Sequence, residues 1–193
     1  PKGVGALYVR RSRQRQGVPA PLFHGGGHQQ GLRPGTLDVA GIVGFGAAAD
    51  LMKTEGGEEA ARLRVLRDRL ARRLLDALDE VRVNGSMSER HPGNLNLSFG
   101  YVDGAALLLR VCETAAVSSG AACSSAEPGL SHVLRALGVE PDWASTSLRF
   151  GLGRGTTEAE LSRVADAVID AVTELRAASP LYAAKREGRE IDW

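Results

Sequence analysis

Leu63, Leu66, Leu70, Leu74 and Leu78 recur at three- and four-residue spacing in a stretch otherwise dense in Arg, Asp and Glu. That period marks an amphipathic helix with one apolar stripe, so the chain must fold in a way that buries a long helix on one side only. The charged remainder reads as a solvated face rather than a binding stripe. The spacing predicts a helix from Glu58 to Asp79, which at roughly 1.5 Å per residue is about 30 Å long, enough to bridge two lobes.

A shorter helix is expected ahead of it. Asp38 is a plausible N-cap, Val39, Ile42, Val43, Phe45, Ala49 and Met52 form its apolar side, and Gly56-Gly57 should break it. Downstream the pattern becomes strand, helix and strand. Val81-Arg82-Val83, Asn94 to Phe99 and Ser147 to Gly151 read as strands, and Asp103 caps a helix carrying Ala106, Leu107, Leu108 and Val111. Cys112 sits in that helix and reads as a buried thiol used as a small hydrophobe. A short helix passes through Val133, Leu134 and Leu137. Thr157 and Glu160 form a capping box for a last helix with Leu161, Val164, Val168, Val172 and Leu175 on one side. The tail from Ser179 to Trp193 is partly polar and should wrap the surface. The class is α/β.

Composition narrows the functions. The chain has 193 residues and a formal net charge of +1, with 5% aromatics. It has no global field to attract nucleic acid or an acidic membrane. Arg10, Arg11, Arg13 and Arg15 lack interleaved aromatics for base stacking and read as a solvated turn. No stretch approaches the apolar run that a bilayer span needs, and the start lacks a signal peptide's apolar core. Two cysteines, Cys112 and Cys123, make neither a disulfide framework nor a CxxC pair, so free thiols in a reducing compartment, the cytoplasm, are expected. Gly3 to Val9 reads as a buried strand beginning almost at residue one, which suggests a fragment or processed piece with an exposed apolar surface over residues 1 to 55.

Three segments could carry chemistry. Residues 17 to 37 are too rich in Gly and Pro for helix or central strand, and His24, His28, Gln29, Arg33 and Thr36 make an anion site one reading of that loop. The two histidines are not spaced as a zinc pair. Ser118 to Ala126 is a run of small residues around Cys123, either an ordinary loop or a thiol on a backbone free to swing towards a substrate. Arg149 lies mid-strand with Leu148 and Phe150 on the opposite face, so its guanidinium needs a partner. A protein carboxylate is the simpler reading, and a bidentate grip on a ligand's carboxylate is the other. Gly151-Leu152-Gly153-Arg154-Gly155 misses the GxGxxG spacing of a dinucleotide site.

Together these segments resemble the C-terminal half of a cysteine desulfurase, in the class-V aminotransferase family. Pro1-Lys2-Gly3-Val4-Gly5-Ala6-Leu7-Tyr8-Val9-Arg10 is similar to the strand that follows that family's cofactor lysine, and His24 to Thr36 to its dimer-interface loop. Ser118-Ser119-Gly120-Ala121-Ala122-Cys123-Ser124-Ser125 resembles the active-site cysteine loop of the long-loop, iron-sulfur-cluster class. Ser147 to Arg154 resembles its substrate-arginine strand. The resemblance covers nearly the whole chain.

It implies a fold-type I, aminotransferase-like pyridoxal 5'-phosphate enzyme: residues 1–55 ending the large cofactor-binding domain with the dimer-interface loop, 56–80 a connecting helix, and 81–193 the small C-terminal α/β domain. It implies that Cys123 takes the sulfur of L-cysteine, leaving L-alanine and a Cys123 persulfide for iron-sulfur scaffold and sulfur-acceptor proteins. Cys123 would also ligate, transiently, an iron-sulfur cluster shared with such a scaffold. Arg149 would hold the substrate carboxylate, and Thr36 would reach the cofactor phosphate of the neighbouring subunit of a homodimer. The family's Schiff-base lysine falls upstream of Pro1-Lys2-Gly3, and Lys2, Lys53 and Lys185 do not match its motif. Activity is therefore expected to need a missing N-terminal half or a complementary chain. Two other readings are a persulfide carrier using Cys123 without pyridoxal phosphate, and a Cys-His hydrolase built on Cys123 and His132, for which no orienting acid or amide is evident.

Overall fold

A computed structural model describes residues 2–10, 19–119 and 131–189. The expectations for Arg11, Arg13, Arg15, Cys123 and the last four residues fall outside them. The chain divides into two compact units, Pro1–Gly57 and Glu58–Trp193.

In the first unit, Val4 to Val9 is not a strand. The segment pairs with no neighbour among the described residues, and Leu7 and Tyr8 are 78% and 83% exposed. The expected burial fails because a strand's N–H and C=O groups need a partner strand, and none is present in this unit's described residues. A 3₁₀ turn covers His28–Gly31, with Gln29 and Gln30 in the left-handed region at φ 51° and 60°. Helix α1, Val39–Ala77, then begins at Asp38 as expected. The Asp38 Oδ1 accepts from the Gly41 N–H at 3.0 Å, and the Asp38 carbonyl accepts from the Ile42 N–H at 2.9 Å. Val39, Val43, Phe45 and Met52 are exposed on this stretch.

The predicted break at Gly56-Gly57 does not occur, and α1 runs through both glycines. Each costs about 1 kcal/mol relative to alanine. The strong helix formers that follow, Glu58, Glu59, Ala60 and Ala61, and the buried leucine stripe beyond them outweigh that cost.

The second unit is built on a four-stranded sheet in the order β1-β2-β4-β3, with β1 Val81–Val83, β2 Asn94–Phe99, β3 Ser118–Ser119 and β4 Ser147–Gly151. All three pairings are antiparallel. Its helices beyond α1 are α2 Gly104–Cys112, α3 His132–Ala136, α4 Pro141–Ser145, α5 Glu158–Ala177 and α6 Pro180–Arg186. Leu95, Leu97, Phe99, Leu148 and Phe150 join the α1 leucines, Leu107 and Val111 of α2, and Val168 and Val172 of α5 in one buried cluster. The alternation of the strands puts these residues on one sheet face and leaves the other to polar side chains.

The caps fall where the sequence puts them. Asp103 Oδ1 accepts from the Ala106 N–H at 2.7 Å. Thr157 and Glu160 form the reciprocal capping box. Two features were not anticipated. Pro141 opens the short helix α4, and the tail forms α6, capped by Ser179. Cys112 is exposed rather than buried. Leu107 and Val111, four apart, take the core-facing positions of α2, and the next residue is turned about 100° away.

Arg176, on α5, is 3% exposed. Its Nε donates to the Gly100 carbonyl at 3.0 Å, Nη2 to the Glu80 carbonyl at 3.2 Å and Nη1 to Asp79 Oδ1 at 2.9 Å. Tyr182 and Lys185 of α6 reach the same Asp79 carboxylate, at 3.0 Å and 3.6 Å. Gly104 is required where it stands, because a Cβ there would run into the Ser145 carbonyl oxygen.

Candidate active site

Arg149 is the residue whose placement says most. It sits in the middle of β4, exposed, while Leu148 and Phe150 are buried on the opposite face. The expected ion pair to a protein carboxylate is not formed among the described residues. The guanidinium instead donates from Nε to Ser118 Oγ at 3.1 Å, and Ser118 is its partner across the β3/β4 ladder. The Arg149 terminal nitrogens bond nothing among the described residues, so the bidentate edge that matches a carboxylate is left facing outward. The core explains why: α1, α2 and α5 pack against the apolar face, and among the described residues no acidic side chain pairs with Arg149 on the polar one.

The polar face is more ordered than a solvated surface requires. Asn96 lies opposite Arg149 in the β2/β4 register, and Ser98 lies opposite Ser147. Asn84, buried just past β1, donates from Nδ2 to Asn96 Oδ1 at 2.6 Å and to Ser98 Oγ at 2.8 Å. Ser147 Oγ is buried without a partner. Residue-by-residue reading missed Ser118 and this asparagine ladder. The signal was present in the alternation Asn94-Leu95-Asn96-Leu97-Ser98, which puts three polar side chains on Arg149's face.

Ser118 and Ser119 form the last described residues before the segment carrying Cys123, which lies outside the described residues. His132 begins α3, is exposed, and has no orienting partner among the described residues. A Cys-His pair therefore gains no support from it.

Thr36 belongs to the first unit and is exposed. Arg33 Nη1 donates to the carbonyls of Gly35 and Thr36 at 3.2 and 3.1 Å. Part of Arg33 is thus spent on shaping its own loop rather than on an anion, as the sequence reading had it. The Thr36 hydroxyl and the remaining Arg33 nitrogens bond nothing among the described residues. A free hydroxyl beside a guanidinium edge on a loop clamped from within is a donor set that suits a phosphate ester. Two left-handed glutamines in the 3₁₀ turn lead into that loop, a conformation that non-glycine residues hold at a cost. Among the described residues no group of His, Cys, Asp and Glu is placed to hold a metal ion, and no helix is long and apolar enough to cross a membrane. A cavity of about 850 Å³ lies elsewhere in the second unit, lined by Tyr101, Glu140, Trp143 and Leu181 among others, and Arg149 is not part of it.

Comparison with known proteins places these features in a family. Residues 1–164 match the model of aminotransferase class-V. The chain is 52% identical over 196 aligned residues to a protein named "Cysteine desulfurase IscS" from Anaeromyxobacter sp. (strain Fw109-5), with all of this chain and 48% of that one covered. It is 50% identical to "Cysteine desulfurase, mitochondrial" of Arabidopsis thaliana, covering 99% of this chain and 42% of that one. The chain therefore spans about half the length of the curated relatives it matches. Among solved structures, a "NIFS-LIKE PROTEIN" superposes with a TM-score of 0.70 at 30% identity, over 83% of this chain and 41% of that one. A NifS-like protein from Rickettsia africae superposes with a TM-score of 0.68 at 25% identity, over 80% and 40%.

Proposed function

The chain belongs to the aminotransferase class-V family, and from that premise we propose that it supplies the substrate-carboxylate arginine and the sulfur-accepting thiol of a pyridoxal-phosphate-dependent cysteine desulfurase. The observation that carries this reading is Arg149. Its guanidinium stands on the polar face of a core strand, is oriented by Ser118, and has no carboxylate of its own chain among the described residues. A site with that charge and that planar donor edge is matched to the carboxylate of an amino acid.

Pyridoxal phosphate, when bound, supplies the electron sink that loosens the bonds around the substrate's α- and β-carbons. Thr36, with the free edge of Arg33, would hold its phosphate, in the neighbouring subunit of a homodimer. Arg149 fixes the carboxylate and so sets where the substrate's sulfur points. Cys123, as thiolate, attacks that sulfur: the carbon–sulfur bond of L-cysteine breaks, a sulfur–sulfur bond forms, and the released carbon takes up a proton. L-cysteine and the thiol thus become L-alanine and the Cys123 persulfide, with no external oxidant or reductant. A loop of small residues suits a persulfide that must pass to sulfur-acceptor and iron-sulfur scaffold proteins, where Cys123 would also touch the growing cluster. Such thiol chemistry belongs in a reducing compartment, and the proposed one is the cytoplasm.

The test is the pyridoxal-phosphate-loaded enzyme, reconstituted with the cofactor lysine present, carrying Cys123→Ser or Arg149→Lys. Cys123→Ser should keep the resting enzyme's visible spectrum and its binding of L-cysteine nearly intact and release no alanine, because serine cannot form and release a sulfur–sulfur bond. Arg149→Lys, which loses the bidentate fork, should raise KM by more than tenfold. Alanine release by Cys123→Ser at the original rate would overturn the assignment. A Cys123 persulfide acquired from a donor protein with no pyridoxal phosphate present would point to a carrier instead.

A further inference from the structure

The geometry points to Asn96 as a second ligand of the substrate carboxylate, with Asn84 as the residue that positions it. The inference rests on the reading of Arg149 given above.

Asn96 and Arg149 are Cα partners across β2 and β4, and Ser118 flanks Arg149 from β3. Side chains directly opposite on one face of an antiparallel pair have their Cβ atoms about 4.5–5.5 Å apart. Three polar groups from three strands therefore share one patch, and its register is fixed by Leu95, Leu97, Leu148 and Phe150 buried beneath it.

The hydrogen bonds say which way the Asn96 amide faces. Its one acceptor, Oδ1, is taken by Asn84 Nδ2 at 2.6 Å. Its NH₂ group then carries two protons that bond nothing among the described residues, and it stands beside a guanidinium whose terminal nitrogens also bond nothing there. Donors of two side chains are thus set next to each other with no acceptor between them among the described residues. Water can serve them in the free protein, and a single anion that accepts from both at once suits the arrangement. A carboxylate has about four lone-pair positions. The guanidinium fork takes two and the Asn96 amide a third. The fourth is within the chemistry of Ser118, whose Oγ accepts from Arg149 Nε and whose own proton is thereby turned elsewhere.

Asn84 is held for this purpose more firmly than a surface residue is. It is 6% exposed. Its backbone N–H donates to the Asn96 carbonyl at 3.0 Å, and its own carbonyl accepts from Arg90 Nη2 at 2.5 Å. A buried amide fixed at both backbone groups and spending its donors on Asn96 and Ser98 leaves Asn96 little rotational freedom. Asn84 touches no substrate. It acts through Asn96.

The experiment uses the pyridoxal-phosphate-loaded enzyme, reconstituted with the cofactor lysine present, and two probes, L-alanine and L-alaninamide, which differ only in the carboxylate. Nitrogen-15 NMR of the unsubstituted protein should show the Asn96 side-chain amide protons and the Arg149 Nε–H moving with L-alanine and not with L-alaninamide. Asn96→Ala should raise KM for L-cysteine about five- to tenfold with kcat within twofold. Asn96→Asp, which sets a competing carboxylate against Arg149, should raise it more than a hundredfold. Asn84→Ala should raise KM less than Asn96→Ala does, and should broaden the Asn96 amide signals while leaving the circular dichroism spectrum unchanged. If L-alanine shifts Arg149 but not Asn96, and Asn96→Ala leaves KM within twofold while Arg149→Lys raises it, this inference falls and the Arg149 reading stands. If Arg149→Lys leaves KM unchanged and L-alanine moves neither signal, both fall.

Discussion

Replacing Arg176 with methionine removes a guanidinium that serves three acceptors at once, and the loss can be worked acceptor by acceptor. The Gly100 carbonyl is buried, so stripping its donor costs about 1–3 kcal/mol. The Glu80 carbonyl is half-buried and keeps the Gly100 N–H at 2.9 Å, which limits its share to about 0.5–1 kcal/mol. Asp79 is 56% exposed, so its ion pair contributes under about 1 kcal/mol. Methionine keeps most of the aliphatic packing, which leaves a net loss of about 2–4 kcal/mol. Urea unfolding followed by circular dichroism should show the midpoint falling with the slope unchanged. Asp79→Asn, run beside it, should cost under about 1 kcal/mol, since the contacts it weakens, to Arg176, Tyr182 and Lys185, all meet a solvent-exposed carboxylate. If Arg176→Met costs no more than Asp79→Asn, the two carbonyls are not what Arg176 stabilises and the reasoning fails.

Acid should loosen α6. Burial pushes the Asp79 carboxyl up, but the Tyr182 hydrogen bond and the charges of Arg176 and Lys185 outweigh it and hold it below the ordinary carboxylate range. A depressed folded pKa gives stability that is complete above the unfolded value, about pH 4, and is lost as pH falls through the folded value. Asp79→Asn should therefore flatten the acid limb of a stability-against-pH curve, and identical limbs would refute the assignment. Thr157→Ala should cost about 1 kcal/mol in the same urea assay through loss of the capping box at the start of α5. Cys112→Ser should change stability by less than about 0.5 kcal/mol, because the thiol is exposed, and Cys112 should alkylate readily in the folded chain. A loss above about 1 kcal/mol would restore the buried reading.

What could be read in the sequence was what depends on local period and short-range chemistry. The leucine stripe of α1, the alternation in β2 and β4 and the caps at Asp38, Asp103 and Thr157 each involve residues within a few positions of one another. The failures involve longer range or competition. Gly56-Gly57 looked like a stop because local propensity was weighed without the burial of Leu63 to Leu74 that carries the helix through. Gly3 to Val9 looked like a strand because its composition is right, whereas a strand exists only with a partner. Cys112 was placed inside by the apolar company it keeps, and the turn of the helix puts it outside. In the site, Arg149's exposure followed from alternation alone. Its Ser118 partner and the Asn84–Asn96 contact come from strand pairing between residues 12 to 31 positions apart, which no local pattern encodes.

The β4 strand serves two masters, with Leu148 and Phe150 in the core and Arg149 on the open face. Its pairing with β2 can shift only by whole residues, and a shift of one would bury the guanidinium and put leucine and phenylalanine into water. The patch around Arg149 thus has no partly misaligned state available at low cost. A damaged molecule should lose carboxylate recognition abruptly, together with its core, instead of binding the wrong substrate with a slightly displaced arginine. For a protein whose proposed product is a reactive persulfide, failing silent is safer than failing loose.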